Sequence, residues 1–268
     1  MSARHLLLDS PSLGRRAHVW TFGSIGRPLV VFPSNAGVAH EWQGSGMIDA
    51  LGPLMAEGRL KIYCPETNVS RSFSGEGSVA HRMAHHRAYE RFVLETLVPF
   101  IYEDCNGVMP IVATGCSVGA LYSSLFVLKY PEVFQRALCL SGRYRTSKFF
   151  DLGRSAGEAG RHNYVGSAHA DHTGRDAGGN DDLYFNDPLA FLPNLSGGAL
   201  ERVRRRVHLT VVVGRGAHED GCIPETAEFG SWLERKGIPN HVSFWGKDSA
   251  HTYPWWQKQA RHYLSQMF

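Results

Sequence analysis

The sequence predicts an α/β fold in which helices cover both faces of a mainly parallel sheet. Short apolar runs with the length of buried strands alternate with longer segments of helical periodicity along most of the 268 residues. Residues 207–213 form the clearest buried strand, and residues 109–130 contain a strand, a tight turn and a helix in direct succession. Parallel strands need a crossover segment between them, so this alternation favours the α/β class.

Turn and cap residues divide the chain into predicted elements. Seven strands are expected, at residues 17–22, 29–32, 60–64, 111–113, 137–140, 207–213 and 242–245. Helices are expected at residues 82–104, after the turn that follows residue 115, at residues 225–236, and from Pro254 onward. Gly237 suits the end of the third helix, and Pro254 suits the first turn of the last. We interpret residues 1–268 as a single domain.

The motif that indicates a chemical function is the pentapeptide Gly115-Cys116-Ser117-Val118-Gly119. A strand precedes it, and apolar residues at helical spacing follow it, which is the context of a nucleophile elbow. The turn is tight enough that the residues flanking the serine must be small. Gly153-Arg154-Ser155-Ala156-Gly157 fits the same pattern but lacks a preceding strand and a following helix. We therefore interpret Ser117 as a nucleophile and Ser155 as a loop serine.

Bulk properties exclude several classes of protein. The chain is 43% apolar, with no apolar run near the length of a membrane span, and its first residues lack the apolar core of a signal peptide. Its five cysteines are odd in number and lack metal-ligand spacing, which suits reduced thiols and a cytoplasmic location. Net charge is only +3, and the basic cluster at residues 202–206 is interpreted as a solvated helix end. We expect neither nucleic acid nor membrane as a partner.

Two groups of polar residues resemble metal ligands superficially. His81, His85 and His86 share a predicted helix and are interpreted as surface histidines, because no carboxylate or cysteine pattern completes a site. Residues 151–181 are rich in Gly, His, Asp, Arg and Ser, and are expected to form an exposed, flexible insertion. His169, Asp171 and His172 lie within it. We predict no metal site and no cofactor.

An activated serine needs a base, and the base needs an orienting acid. Two histidines follow late strands, His218 and His251, and His251 has the position expected of the base, on the loop before the final helix. Glu219 and Asp220 both follow the strand at residues 207–213, and we favour Glu219 while keeping Asp220 as the alternative.

Two further carboxylates and one loop complete the candidates. Asp187 is the next acid to consider, whereas Asp248 is interpreted as a turn or capping residue. The loop at residues 33–37 (Pro-Ser-Asn-Ala-Gly) follows a strand where a second oxyanion donor would belong. An ordinary strand-to-helix loop is an equally good interpretation of that segment.

Several stretches together resemble the putative-esterase family of α/β hydrolases, the group that holds esterase-D-like enzymes, feruloyl esterases and mycolyltransferases. The similarity is greatest to a branch of small bacterial esterases. The stretches are residues 30–34 (VVFPS), 82–90 (RMAHHRAYE), the elbow, 140–142 (LSG), 184–188 (YFNDP), 191–195 (FLPNL), 236–239 (KGIP) and 245–256 (WGKDSAHTYPWW). They cover nearly the whole chain outside the insertion.

The resemblance implies an α/β-hydrolase fold and a role for five residues. Ser117 would be the nucleophile, His251 the base and Glu219 the acid, while the backbone N–H groups of Asn35 and Val118 would form the oxyanion hole. The two residues that follow His251 differ from the pattern of the family. Such relatives commonly carry His-Asp-Trp where this chain has His251, Thr252 and Tyr253, which leaves the base intact but changes the neighbouring pocket wall.

The leading hypothesis is a cofactor-free serine hydrolase that cleaves a small-molecule carboxylic ester through an acyl-enzyme. Acyl transfer to an alcohol other than water is the first alternative, motivated by the mycolyltransferase relatives alone. A non-catalytic binding protein that retains the fold is the second. Neither the acyl chain nor the oligomeric state follows from the sequence.

Overall fold

Apolar residues on both sides of each central strand require a cover on both faces of the sheet. The computed structural model describes residues 2–150 and 179–268, and its strands form one eight-stranded sheet in the order β1-β2-β4-β3-β5-β6-β7-β8. The strands are β1 (Ala3–Ser10), β2 (Arg15–Phe22), β3 (Arg27–Phe32), β4 (Leu60–Pro65), β5 (Ile111–Cys116), β6 (Phe134–Leu140), β7 (His208–Val213) and β8 (Asn240–Phe244). All seven predicted strands are present, with bounds that differ by a few residues.

The sheet is parallel from β4 to β8, which confirms the predicted class. The β3/β4, β3/β5, β5/β6, β6/β7 and β7/β8 pairs are parallel, whereas β2 pairs antiparallel with both β1 and β4. The sequence did not predict β1. Most of its side chains are exposed or half-buried, so it lacks the apolar run that marks the central strands.

Helices form the two outer layers. They are α1 (Glu41–Gly44), α2 (Met47–Ala50), α3 (Gly52–Ala56), α4 (Val79–Phe92), α5 (Val98–Asp104), α6 (Val118–Lys129), α7 (Gly179–Phe185), α8 (Pro188–Phe191), α9 (Gly197–Arg206), α10 (Cys222–Arg235) and α11 (Tyr253–Met267). None of the helices in the described ranges is both long and apolar enough to span a bilayer.

Two separate apolar clusters lie on opposite faces of the sheet. Val30, Phe32 and Val211 belong to one cluster, with side chains from α4, α6, α9 and α10. Their neighbours Val31 and Val212 belong to the other, with side chains from α2, α3 and α11. Adjacent residues of a strand point to opposite faces, so each central strand contributes to both clusters. A layer of helices therefore packs against each face of the sheet, whose strand ends carry the candidate site.

Two helical predictions need correction in detail. Residues 82–104 were expected to form one regular helix, but α4 and α5 are joined by a π-helical segment, Val93–Leu97. Pro99 follows within the first turn of α5 and lacks an N–H for the regular helical ladder. The apolar spacing after the elbow also predicted that α6 buries a single face, whereas the helix is buried on all sides. Every residue from Val118 to Leu128 is buried, including Ser123 and Ser124, whose hydroxyls donate to backbone carbonyls of the same helix.

The prediction that His86 is a surface histidine is wrong. Its side chain is fully buried on α4, where Nε2 lies 3.0 Å from Oδ1 of Asn186. Burial disfavours the imidazolium form and lowers the pKa of His86 to about 4. His81 on the same helix is exposed, as predicted.

The basic cluster lies at a helix end, whereas the predicted insertion falls largely outside the described residues. Arg204, Arg205 and Arg206 lie in the last turn of α9, as the interpretation of a helix end requires. The predicted insertion lies almost entirely outside the described residues, which resume at Gly179 with the first residue of α7.

Candidate active site

Backbone hydrogen bonds continue across the carboxyl ends of β5, β6 and β7. The N–H of Ser117 donates to the carbonyl of Leu140 at 2.8 Å, and the N–H of Ser141 donates to the carbonyl of Val212 at 2.7 Å. Each bond extends the parallel ladder by one residue beyond the paired strand ends. The residues that follow these three strands therefore start from one edge of the sheet.

The turn at Ser117 has the geometry expected of an elbow. Ser117 has φ 56° and ψ −118°, a positive φ that a non-glycine residue rarely adopts. A Cβ on Gly115 would lie 2.5 Å from the carbonyl oxygen of Phe32, and one on Gly119 would lie 2.1 Å from the same oxygen. Both positions therefore require glycine, because β3, β5 and α6 approach one another too closely for a side chain.

The loops after β7 and β8 are joined by three backbone hydrogen bonds. Arg215 N–H donates to the Gly246 carbonyl at 3.2 Å, Gly216 N–H to the Ser249 carbonyl at 2.8 Å, and His251 N–H to the Ala217 carbonyl at 2.9 Å. The loops are so close that a Cβ on residue 214, a glycine, would lie 1.9 Å from the Ser249 carbonyl oxygen. These bonds fix the position of His251 relative to the segment that carries Glu219.

The structure brings Glu219 and His251 together. Oε2 of Glu219 lies 3.2 Å from Nδ1 of His251, and the glutamate side chain is completely buried. Asp220 points into solvent. Of the two acids left open by the sequence, Glu219 is thus the one that contacts the histidine.

Ser141 holds the other oxygen of the same carboxylate. Its hydroxyl donates to Oε1 of Glu219 at 2.5 Å and accepts a hydrogen bond from the indole Nε1 of Trp256 at 2.9 Å. The Trp256 ring also meets the ring of His251 edge to face, with centroids 4.8 Å apart. A single tryptophan therefore contacts both the histidine and the serine that binds its carboxylate partner.

Sequence reasoning assigned no role to Ser141 or Trp256. A Ser-Gly pair directly after a strand was a weak signal for Ser141, since Ser117 stands in the same relation to its own strand. No local pattern marks Trp256.

Ser117 is not joined to this pair by a hydrogen bond. Its side chain is half-exposed, and the hydroxyl has no hydrogen-bond partner among residues 2–150 and 179–268. The imidazole of His251 is 20% exposed, so one of its edges is open to solvent. Catalytic hydrogen bonds are often long or absent in structures without substrate and shorten when the substrate is bound.

Val118 is the first residue of α6, and this position gives its N–H a special property. The first N–H groups of a helix have no intrahelical acceptor, and the helix dipole makes them attractive to negative charge. The earliest helical bonds of α6 come from Ala120 and Leu121, which both donate to the Ser117 carbonyl. The backbone N–H of Val118 is thus available beside Ser117.

Asn35 lies in an exposed loop after β3, and its side chain accepts a hydrogen bond from the Ser74 hydroxyl. The loop is fixed by Glu41, whose carboxylate accepts from the backbone N–H of Ser34 at 2.7 Å and from its hydroxyl at 3.0 Å. Tyr253 lies beside Glu41, and burial together with this carboxylate raises the pKa of the tyrosine strongly. The tyrosine that departs from the family pattern therefore links the loop of His251 to the loop of Asn35.

Cys222 stands beside the acid and the histidine. It is the first residue of α10, one turn after Glu219, and its Sγ lies 3.9 Å from Nδ1 of His251. Burial and the nearby Glu219 carboxylate raise the pKa of the thiol to about 12, so the sulfur is protonated at neutral pH. No disulfide involves this or the other four cysteines.

The remaining candidates lie elsewhere. His218 is exposed with a positive φ of 65°, and Asp248 is an exposed turn residue, as predicted. Asp187 is the N-cap of α8, where it accepts hydrogen bonds from the backbone of Ala190 and Ser147. Burial raises the pKa of that carboxyl. The predictions for Ser155, His169, Asp171 and His172 concern positions outside the described residues.

Solved structures of hydrolases have the same fold. A ferulic acid esterase aligns with a TM-score of 0.72 at 13% identity, covering 100% of this chain and 98% of that one. S-formylglutathione hydrolase FrmB from Staphylococcus aureus aligns with a TM-score of 0.68 at 15% identity, covering 99% and 96%. The fluorophosphonate-binding serine hydrolase FphF from the same species aligns with a TM-score of 0.67 at 14% identity, covering 99% and 98%. No curated protein matches the chain.

The class is that of esterases with an α/β-hydrolase fold. A family model described as Putative esterase matches residues 69–266, about three quarters of the chain, and the chain belongs to that family. The matched range begins after the Asn35 loop and includes the elbow, Glu219 and His251.

Proposed function

We propose that the protein hydrolyses a small-molecule carboxylic ester with Ser117 as nucleophile, His251 as base and Glu219 as acid. The observation that carries the proposal is the buried carboxylate of Glu219, 3.2 Å from Nδ1 of His251. Both residues follow strands that end at the same sheet edge as the elbow. The chain order serine, acid, histidine is the order of α/β hydrolases.

The contacts of His251 support its role as a base. A carboxylate can only accept hydrogen bonds, so Glu219 favours the tautomer with the proton on Nδ1 of His251. Nε2 is then unprotonated and can accept a proton. In the proposed reaction it takes the proton of the Ser117 hydroxyl as the oxygen attacks the acyl carbonyl, and returns a proton to the leaving alcohol. The carboxylate stabilises the imidazolium that forms between these steps.

The elbow supports the role of Ser117 as nucleophile. Its positive φ turns the chain sharply between β5 and α6 and leaves the side chain half-exposed at the sheet edge. The neighbouring N–H of Val118 is the first of α6 and would donate to the oxyanion of the tetrahedral intermediate. We propose the backbone N–H of Asn35 as the second donor, since the Glu41 carboxylate fixes its loop through Ser34.

Removing the nucleophile tests the proposal. Ser117→Ala should lower kcat for hydrolysis of a short aryl ester at least about 10³-fold, because triad members act as a unit. Ser155→Ala is the matched control, since it alters the second Gly-x-Ser-x-Gly match, and should retain the wild-type rate. Near-normal hydrolysis by a folded Ser117→Ala protein would overturn the proposal.

The substrate class remains at the level of a carboxylic ester. Acyl transfer to an alcohol other than water stays a prediction, as does the absence of a cofactor.

A further inference from the structure

Three different ligand types converge beside the histidine ring. A carboxylate oxygen of Glu219, the sulfur of Cys222 and a ring nitrogen of His251 all lie within 4.8 Å of one another. Nδ1 of His251 is 3.2 Å from the Glu219 oxygen and 3.9 Å from the Cys222 sulfur. The proposed hydrolysis uses the carboxylate and the imidazole but gives the thiol no function.

These separations resemble those of ligands around a tetrahedral zinc ion. With Zn–N and Zn–O distances near 2.0 Å and Zn–S near 2.3 Å, tetrahedral ligand atoms lie about 3.3 to 3.6 Å apart. The geometry points to an inhibitory site for a borderline-soft divalent cation of the Zn²⁺ class, bound by Glu219, Cys222 and His251. The combination of thiolate and imidazole selects Zn²⁺ over Mg²⁺ or Ca²⁺, which prefer oxygen ligands.

Two of the three ligands are already held in place. The N–H of Cys222 donates to the carbonyl of Glu219 at 2.8 Å, so one tight turn at the start of α10 carries both. The Ser141 hydroxyl binds the other oxygen of the carboxylate, as outer partners of metal ligands commonly do. Both side chains are buried, and the 20% exposed ring of His251 provides the open side through which an ion would enter.

The charges of the ligands match the ion. When Zn²⁺ binds, the Cys222 thiol releases its proton to solvent, and the thiolate and the carboxylate together carry two negative charges. The Arg143 guanidinium is close enough to act on the Cys222 thiol, but it is paired with the carboxylate of Glu225 at 3.1 Å. Its charge is therefore largely compensated within the protein.

The consequence for catalysis rests on the proposed function. A neutral imidazole that binds a cation through Nδ1 carries its proton on Nε2. This is the opposite tautomer to the one that Glu219 favours, and Nε2 can then no longer accept the proton of Ser117. The cation also takes the carboxylate that would stabilise the imidazolium. Bound Zn²⁺ is thus expected to stop turnover while leaving Ser117 itself untouched.

The test uses the 268-residue chain, freed of metal with a chelator, in two parallel titrations. Zn²⁺ is titrated into an ester-hydrolysis assay, and the rate of each variant with Zn²⁺ is expressed relative to the rate of the same variant without metal. Co²⁺ is titrated separately, because a cysteine thiolate bound to Co²⁺ gives a charge-transfer absorption band. Cys222→Ala removes the sulfur, and Cys222→Val replaces it at closer volume if the alanine variant is unstable. Cys105→Ala is the control, since Cys105 contacts Tyr63 and not the cluster.

We expect wild type and Cys105→Ala to be inhibited by Zn²⁺ and to show the Co²⁺–thiolate band. Removing Cys222 should raise the half-inhibitory Zn²⁺ concentration at least about tenfold and abolish the band. Equal inhibition of the Cys222 variants, or no band in wild type, would overturn the site. A band without inhibition would leave the metal site in place and overturn the role of Glu219 and His251 in the reaction. Ser117→Ala should retain the band, so loss of activity and loss of metal binding remain distinguishable.

Discussion

Two serines follow neighbouring strands of this sheet with nearly the same positive φ but with opposite surroundings. Ser117 follows β5 with φ 56°, and Ser141 follows β6 with φ 51°. The N–H of each donates across the strand ends, to Leu140 and Val212 respectively. The side chain of Ser117 is half-exposed, whereas that of Ser141 is buried between the indole of Trp256 and the carboxylate of Glu219.

This contrast shows that a left-handed serine at a strand end does not by itself make a nucleophile. The strained turn only directs the side chain to the edge of the sheet, and the neighbours decide its role. A hydroxyl that donates to one buried group and accepts from another is a structural link. A hydroxyl left without a partner beside an N–H at a helix start is suited to attack a carbonyl. We therefore propose Ser117 as the nucleophile and Ser141 as the residue that holds the acid.

The largest effect is expected where Ser141 and His251 converge, on the carboxylate of Glu219. Glu219→Gln keeps the shape but removes the charge, and the amide N–H₂ can no longer enforce the required tautomer of His251. We predict a fall in kcat of about 10³- to 10⁴-fold, comparable to loss of the acid in a serine protease. Steady-state kinetics with an aryl ester provide the measurement.

Asp220→Asn is the matched control for that variant, because Asp220 is exposed and adjacent in sequence. The imidazole of His251 is hydrogen-bonded to Glu219 and not to Asp220, so the kcat of Asp220→Asn should stay within about twofold of wild type. The reverse ranking of the two amides would move the acid to Asp220. Two mild effects would exclude both.

A smaller effect is expected for Ser141→Ala, which removes the hydroxyl that binds Oε1 of Glu219. Hydrogen bonds to charged groups contribute about 1.5 to 3 kcal/mol, so kcat should fall about 10- to 100-fold with little change in KM. Ser124→Ala is the control, since it removes another buried serine hydroxyl, one that donates only within α6. If Ser141→Ala keeps the wild-type kcat, Ser141 does not hold the acid for catalysis.

The same contrast between a buried and an exposed side chain of one type recurs on α4 and affects stability. Burial lowers the pKa of His86 to about 4, whereas an unfolded histidine titrates near 6.5. The unfolded state therefore binds more protons between pH 6.5 and 4. The contribution of neutral His86, on the order of 3 kcal/mol, is complete above pH 6.5 and is lost as the pH falls through 4.

Melting temperatures across this pH window check that expectation. His86→Gln should show a weaker fall of Tm between pH 6.5 and 4 than wild type, because its side chain does not titrate. His81→Gln, at the exposed histidine of the same helix, should follow the wild-type curve. Parallel curves for all three proteins would mean that His86 does not titrate with a lowered pKa.

The sequence was sufficient for features whose cause is local. The elbow was predictable because two glycines four residues apart are needed where β3, β5 and α6 meet. Glu219 and His251 were predictable in position, because each follows a late strand of a parallel sheet. Which of Glu219 and Asp220 contacts His251 could be seen only in the structure, since adjacent loop residues point in different directions.

Features created by distant contacts were not predictable. Ser141 meets Glu219 across 78 residues of sequence, and Trp256 meets Ser141 across 115. The ring of His86 packs against Tyr122 and is hydrogen-bonded to Asn186, which is 100 residues away, so its neighbours on the helix gave no sign of its burial. The position of Cys222 beside His251 likewise depends on the hydrogen bonds that join the loops after β7 and β8.

The most direct test of the account is covalent labelling of the wild-type protein with a fluorophosphonate probe, followed by peptide mass spectrometry. The probe reacts with a serine only when a neighbouring base activates it. We predict a single adduct, on Ser117, that is lost in Ser117→Ala, strongly reduced in a folded His251→Ala protein, and retained in Ser141→Ala. An adduct on Ser141 or Ser155, or no adduct on protein that still hydrolyses esters, would contradict the assignment of Ser117 as the nucleophile.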